Sequence, residues 1–249
     1  MSNQLSICEI FSSIQGEGML AGRRQIFIRL TDCNLDCAYC DTAHQKGAIC
    51  HLESSPGSNV YLDIPQLFSL EQLVTLLKSW CLAMPGVHHS ISITGGEPLL
   101  SAELLAEWLP ELRKILPVHL ETNGSMPSEL NQIVPHLDYI SMDLKLPSVA
   151  ACSQPLWELH RTFLQKSVST RVSVKLVVGQ QTSCDEVRQA CEIITSVDKE
   201  VPLFIQPLTL LDGAVGITAA HLLSLQECAA LILPDVRVIP QMHKLLGVL

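Results

Sequence analysis

Positive charge is scarce in this chain of 249 residues: sixteen Lys and Arg stand against twenty-five Asp and Glu, a formal net charge of -9. Gripping a phosphate backbone takes clustered cations, so a direct nucleic-acid partner is not expected. Aromatic residues make up only 4% of the chain, and no apolar run is long enough to cross a bilayer. No stretch at the N-terminus combines a basic segment, an apolar segment and a small-residue cleavage site. These absences predict a cytoplasmic protein with no membrane partner. Disorder is excluded by the opposite figure, since 47% of the residues are hydrophobic. At this length that is enough to bury the core of one domain, or two at most.

Cysteine, by contrast, is plentiful, with ten residues. Three of them, Cys33, Cys37 and Cys40, fall together as Cys-x3-Cys-x2-Cys in the run Thr31-Asp32-Cys33-Asn34-Leu35-Asp36-Cys37-Ala38-Tyr39-Cys40-Asp41-Thr42. Three neighbouring thiolates can hold three irons of a four-iron four-sulfur cube and leave the fourth without a protein ligand. An open iron can bind and activate a small molecule, whereas a cluster that only carries electrons is usually fully ligated. Two other readings stay open. Zinc takes four ligands in a tetrahedron, and His44 would complete a Cys3His set; alternatively the thiols carry no metal. Cys8, Cys50, Cys81, Cys152, Cys184, Cys191 and Cys228 are scattered singly and read as small buried hydrophobes in a reducing compartment. Cys50 fits that reading least, because its segment reads as a loop.

Short β-rich runs alternate with helical patterns along the chain, which predicts an α/β fold with a largely parallel sheet wrapped by helices. The expected strands are 25–30, 90–93, 118–120, 139–142, 172–178, 202–205 and 236–239. The expected helices are 70–83, 102–116, 127–134, 156–166, 184–196 and 219–233. Leu73, Leu76, Leu77 and Trp80 recur at helical spacing behind Ser69, a suitable N-cap, and that stripe reads as core. Residues 43–67 break the rhythm with Gly47, Pro56, Gly57, Pro65 and several serines, and read as a long loop.

Polar groups follow strand after strand: Asp32 and Cys33, Thr94 to Glu97, Glu121 to Asn123, Asp143 and Lys145, and Gln206. An α/β enzyme of barrel type places its active site at that end of its strands. Turns also need polar and glycine residues, but not a charged or hydroxyl group at so many strand ends. Gly95-Gly96-Glu97-Pro98 would let a ligand approach the backbone closely, with Glu97 supplying a carboxylate.

The three-cysteine motif with an aromatic residue before its last cysteine, followed by Gly-Gly-Glu-Pro, resembles the radical S-adenosylmethionine (SAM) superfamily. Further segments narrow the likeness: Ser13-Ile14-Gln15-Gly16-Glu17-Gly18, Phe27-Ile28-Arg29-Leu30, Cys40-Asp41-Thr42, Glu121-Thr122-Asn123-Gly124 and Gln241-Met242-His243-Lys244. Together they resemble the 7-carboxy-7-deazaguanine synthase family of the deazapurine pathway leading to queuosine, and they span residues 9 to 244.

The resemblance implies one radical SAM domain over 1–249, a partial (β/α)6-type barrel with a loop insertion at about 43–67. It implies a [4Fe-4S] cluster on Cys33, Cys37 and Cys40, with SAM on the open iron and Mg2+ as further cofactor. The implied reaction is a lyase step from 6-carboxy-5,6,7,8-tetrahydropterin to 7-carboxy-7-deazaguanine with loss of ammonia. Ile14, Gln15, Gly16 and Glu17 would read the ring edge, Thr94 would touch substrate, and Arg29 would meet its carboxylate, where a guanidinium can form two parallel hydrogen bonds. Tyr39, Cys40 and Asp41 would line the adenine side of SAM, Gly96 would contact it, and Asp143, Leu144 and Lys145 would meet its ribose and methionine portions. Thr42 would ligate Mg2+, which keeps waters and takes oxygens. A flavodoxin or ferredoxin would donate the electron, and a homodimer is implied.

Blander readings stand beside these: Arg29 as an arginine paired with an acidic neighbour, and Thr42 as a turn or capping residue. The chain departs from the family pattern at Asp32, where glycine is common, and at Ser141-Met142-Asp143-Leu144-Lys145, where many members read Ser-Pro-Lys. His243 and Lys244 lie in a C-terminal segment that the family brings near the substrate, without individual roles. Two rival functions are a glycyl-radical activating enzyme and a zinc-stabilised binding module without catalysis.

Overall fold

The computed structural model describes residues 3–40, 48–150, 152 and 154–248. The chain opens with β1 (Leu5–Ile14) and β2 (Arg24–Leu30), then β3 (Ile49–Glu53), β4 (Tyr61–Pro65) and β5 (Leu67–Phe68). Helices and strands then alternate: α1 (Leu70–Ala83), β6 (Ser90–Gly95), α2 (Ala102–Arg113), β7 (Val118–Thr122), α3 (Pro127–Ile133), β8 (Tyr139–Asp143), α4 (Pro147–Ala150) and α5 (Trp157–Ser167). They continue as β9 (Arg171–Val178), α6 (Cys184–Val197), β10 (Leu203–Pro207), α7 (Ala219–Ala230), β11 (Val236–Val238) and α8 (Met242–Leu246). The strands form one sheet in the order β11-β10-β9-β8-β7-β6-β2-β1-β3-β4, with β5 on β1.

Every neighbouring pair from β2 through β6 to β11 is parallel. A parallel neighbour needs a crossover, and the helices between the strands supply it. Each strand divides its side chains between two faces. Ile26, Ile28, Ile91, Ile93, Leu120, Ile140, Met142, Val174 and Leu176 go to the helices, where Leu73, Leu77 and Trp80 of α1 join the same core. The residues between them are largely polar: Gln25, Ser92, His119, Glu121, Ser141, Ser173 and Lys175. The result is a partial, open barrel with an apolar outside and a polar lumen. Ser69 caps α1 as expected, its side chain accepting from Gln72 N–H while the Gln72 side chain accepts from Ser69 N–H. Among the described residues no helix is long and apolar enough to cross a membrane.

Two expectations are corrected. The segment read as a loop over 43–67 carries β3, β4 and the start of β5 within residues 48–67. β3 runs parallel to β1, and β4 returns antiparallel on it, pairing Cys50 with Ile64 and Leu52 with Leu62. Pro56 and Gly57 fall in the turn between β3 and β4, where Gly57 has φ +79° and Asn59 φ +55°, and Pro65 ends β4, so composition averaged over the segment hides two strands. Cys184 and Cys228 are not separate thiols: a disulfide joins the start of α6 to α7, with Cα atoms 6.0 Å apart. They lie 44 residues apart, and only the packing of α6 on α7 brings them together. Cys8, Cys50 and Cys191 are buried as expected, while Cys81 and Cys152 are partly exposed. β1 had no expected counterpart, because a register shift between Ile7 and Glu9 breaks its alternation.

Candidate active site at the strand C-terminal ends

The C-terminal ends of the parallel strands open into a cavity of about 570 Å³. Cys33, Cys37 and Cys40 all line it, on the loop leaving β2. That loop is braced by bonds from Cys40 N–H to Cys37 O (3.0 Å) and from Ala38 N–H to Ala150 O (3.1 Å). Burial raises the Cys33 thiol, and pushes that of Cys37 up to about 12; capture of a metal would have to displace these protons. Among the described residues no three His, Cys, Asp or Glu side chains close on a single ion. A four-iron cube, which takes one thiolate at each of three irons, makes no such demand, so the donor set suits it. His44, Asp41 and Thr42 lie outside the described residues.

Next to the thiols, β6 ends in Thr94 and Gly95 and is followed by Gly96, all in the cavity wall. Gly95 has φ +125°, a conformation that favours glycine. Glu97 turns away from the cavity. Its buried carboxylate accepts from Leu99 N–H (3.0 Å), Asn123 N–H (2.8 Å) and Thr122 Oγ1 (2.9 Å), and burial pushes its pKa up to about 7 despite those donors. Asn123 in turn donates from Nδ2 to Asn34 Oδ1 at 2.9 Å, within the cysteine loop. The Gly-Gly-Glu-Pro glutamate therefore braces the cluster loop and presents no carboxylate to a ligand.

Facing the thiols from β8 and β9 is a buried ionic group. Asp143 Oδ2 accepts from Lys145 Nζ (2.9 Å) and Lys175 Nζ (3.2 Å). Lys145 also donates to Tyr39 Oη at 3.0 Å, and Lys175 to Glu17 Oε2. Burial alone would raise both carboxyls and lower both ammonium groups, but their mutual attraction wins. Asp143 and Glu17 are held below the usual carboxylate range, and Lys145 and Lys175 above the usual lysine range. Asp143 Oδ1, buried, has no hydrogen-bond partner among the described residues, an acceptor suited to a ligand hydroxyl or amine. Leu144 points into the core and bonds through its N–H to Lys175 O, so its side chain does not reach the cavity.

The remaining wall comes from the ends of the chain. Ile14 ends β1 and Gln15, Gly16 and Glu17 follow it into the cavity, where Gln241, His243 and Lys244 meet them. Met242 N–H donates to Gly16 O at 3.0 Å, and a Cβ on Gly16 would overlap the His243 ring, so glycine lets the C-terminal segment seat. Glu17 Oε1 accepts from Gln241 (2.9 Å) and Gln206 (3.2 Å). Gln15 is committed inward: its amide donates to Gln25 Oε1 and Glu121 Oε1, both at 3.0 Å, and its oxygen accepts from Glu17 N–H. A ligand thus meets Gln15 chiefly through its backbone, or through Glu121, which Gln15 and Ser92 hold in place.

Arg29 and Thr94 are cross-strand partners, and the same rung continues through Glu9 and His51 to Asp63. Arg29 donates from Nε to Glu9 Oε2 at 2.6 Å and also lines the cavity, so the acidic pairing and a place in the site hold together. Glu121 and Gln206 share the wall, as their places at strand ends predict, and so do Lys175 and His51, which carry no expected site role. For Lys175 a signal existed: Arg171, Ser173 and Lys175 alternate with valines, which places a lysine on the lumen face.

A family model described as the radical SAM superfamily matches residues 27–161. The chain is 46% identical to a 7-carboxy-7-deazaguanine synthase of Geobacter sulfurreducens, over 96% of each chain. It is 36% identical to one of Methanothermobacter thermautotrophicus, over 97% of this chain and 96% of the relative. Among solved structures, the crystal structure of QueE from Escherichia coli superposes with a TM-score of 0.59 at 21% identity, covering 97% of this chain and 96% of that one.

Proposed function

This chain belongs to the radical SAM superfamily and, within it, to the 7-carboxy-7-deazaguanine synthases, and on that footing we propose that its cavity converts 6-carboxy-5,6,7,8-tetrahydropterin to 7-carboxy-7-deazaguanine with loss of ammonia. The observation that carries this reading is that one cavity gathers the three thiols, the Arg29–Thr94 rung and the carboxylates of Glu17 and Glu121.

Cys33, Cys37 and Cys40 would hold a [4Fe-4S] cluster, which together with SAM would supply the radical chemistry that hydrogen-atom abstraction needs. The chain's part is to bind, orient and exclude water. Arg29, steadied by Glu9, offers a cation to the substrate carboxylate. Glu17 and Glu121 offer acceptors to ring N–H groups, and their orientation is set beforehand by Gln15, Ser92, Gln206, Gln241 and Lys175. Gly96, Tyr39, Asp143 and Lys145 form the side assigned to SAM, with the buried Asp143 Oδ1 as its acceptor. The C-terminal segment around His243 adds to the cavity wall, and the carboxylate and amide contacts are what must keep the reacting atoms within ~3 to 4 Å of each other.

Mg2+ on Thr42 rests on the family resemblance of Cys40-Asp41-Thr42. A flavodoxin or ferredoxin as electron donor and a homodimeric state rest on family habit. The test is turnover: reconstituted enzyme with SAM, a reductant and the carboxylated pterin, kept anaerobic, should form the deazaguanine. SAM cleavage without that product would remove the assignment.

A further inference from the structure

A lysine in the lumen of a barrel needs a reason, because burial disfavours its charge. Lys175 is largely buried, its side chain 16% exposed, and two carboxylates balance its charge. Its ammonium lies 2.5 Å from Glu17 Oε2 and 3.2 Å from Asp143 Oδ2. These carboxylates belong to different halves of the cavity. Glu17 follows β1 and is held by the C-terminal segment, on the side read as the pterin site. Asp143 ends β8 beside Lys145 and Tyr39, on the side read as the SAM site. An ammonium has three donors, and Lys175 gives one to each side.

We propose that Lys175 is a positioning residue that couples the two halves, so that SAM tightens the binding of the carboxylated pterin and the pterin tightens SAM. The inference rests on the functional reading above and goes beyond it. The physical basis is a shared counter-ion. A ligand donor arriving at Asp143 Oδ1, which is buried without a partner among the described residues, compensates part of that carboxylate's charge and weakens its hold on Lys175. The ammonium, already against Glu17, is then committed to it more fully and stiffens the orientation that Gln206 and Gln241 also hold. The first ligand meets the ordering cost for the second, and linkage makes the effect reciprocal.

The test uses the reconstituted holoenzyme under anaerobic conditions without reductant, so that no turnover occurs. Calorimetric titration gives the Kd of 6-carboxy-5,6,7,8-tetrahydropterin with and without saturating SAM, and of SAM with and without the pterin. In the wild type each ligand should tighten the other by about fivefold or more. In Lys175→Gln the ratio should fall to about one at unchanged iron content. That variant leaves one carboxylate in excess in a buried group. Should it fail to fold, Glu17→Gln/Lys175→Gln, which keeps the charges balanced, is measured the same way with the same expected ratio. A wild type that binds both ligands without coupling, or a variant that keeps the wild-type ratio, overturns the coupling alone. A wild type that binds SAM but no carboxylated pterin overturns the functional reading and the coupling with it.

Discussion

Gly96 lies so close to Asp32 that a side chain has no room there: a Cβ would overlap the Asp32 carbonyl and come within 2.9 Å of Cys33 N. The next residue, Glu97, donates its N–H to that same carbonyl at 2.8 Å. The end of β6 thus forms a seat for the residue that precedes the first cluster cysteine. Gly96→Ala should push the loop off this seat. We expect iron per chain and visible cluster absorbance to fall by at least half after reconstitution, with the far-ultraviolet circular dichroism unchanged; full iron loading would remove the seat from the account.

Glu97 holds the neighbouring loop through three donors, from Leu99, Thr122 and Asn123. Glu97→Gln keeps one oxygen and turns an amide toward N–H groups. Leaving buried donors unsatisfied costs ~1–3 kcal/mol each, so thermal or urea unfolding should show a loss of about 2–4 kcal/mol. An unchanged unfolding midpoint would contradict the bracing role.

His160 connects stability to pH. Its Nε2 contacts Asn123 O at 3.1 Å, while its buried Nδ1 has no partner among the described residues. Burial lowers its pKa to about 4 from the 6.5 of an exposed histidine. Protonation therefore favours the unfolded chain, and the contribution present above about pH 6.5 is lost as pH falls toward 4. Between these limits the wild type should lose on the order of 3 kcal/mol more than His160→Gln. Parallel pH–stability curves for the two proteins would show that His160 does not titrate in this way.

Thr42→Ala tests the magnesium proposal. Cluster assembly should be unaffected, and the stimulation of turnover by Mg2+ should weaken. An unchanged response to Mg2+ would discard Thr42 as a ligand.

Much of this architecture was legible in the chain, for reasons that differ from element to element. The parallel strands announced themselves because their helix-facing residues are unbroken aliphatics and a turn follows each. The cysteine loop and Gly95-Gly96 were legible as motifs, since spacing alone limits what they can hold. β3 and β4 were not, because the Pro, Gly and Ser of one turn masked the short Cys50/Leu52 and Ile64 pattern on either side. Nor was the inward commitment of Gln15 and Glu97, which depends on Gln25, Glu121, Thr122 and Asn123 arriving from other strands. A local motif names the residue and leaves its hydrogen-bond partners to tertiary packing. The Cys184–Cys228 bond and the place of Lys175 between two carboxylates are of the same kind.

The central claim is that the three-thiol loop and the Arg29–Thr94 rung serve one reaction in one cavity. It is tested most directly with 6-carboxy-5,6,7,8-tetrahydropterin deuterated at the ring carbon that bears the carboxylate, turned over anaerobically with SAM and a reductant. Mass spectrometry of the recovered 5'-deoxyadenosine should find the deuterium there, in step with formation of 7-carboxy-7-deazaguanine. Recovery of 5'-deoxyadenosine free of deuterium, with the pterin unconsumed, would contradict it.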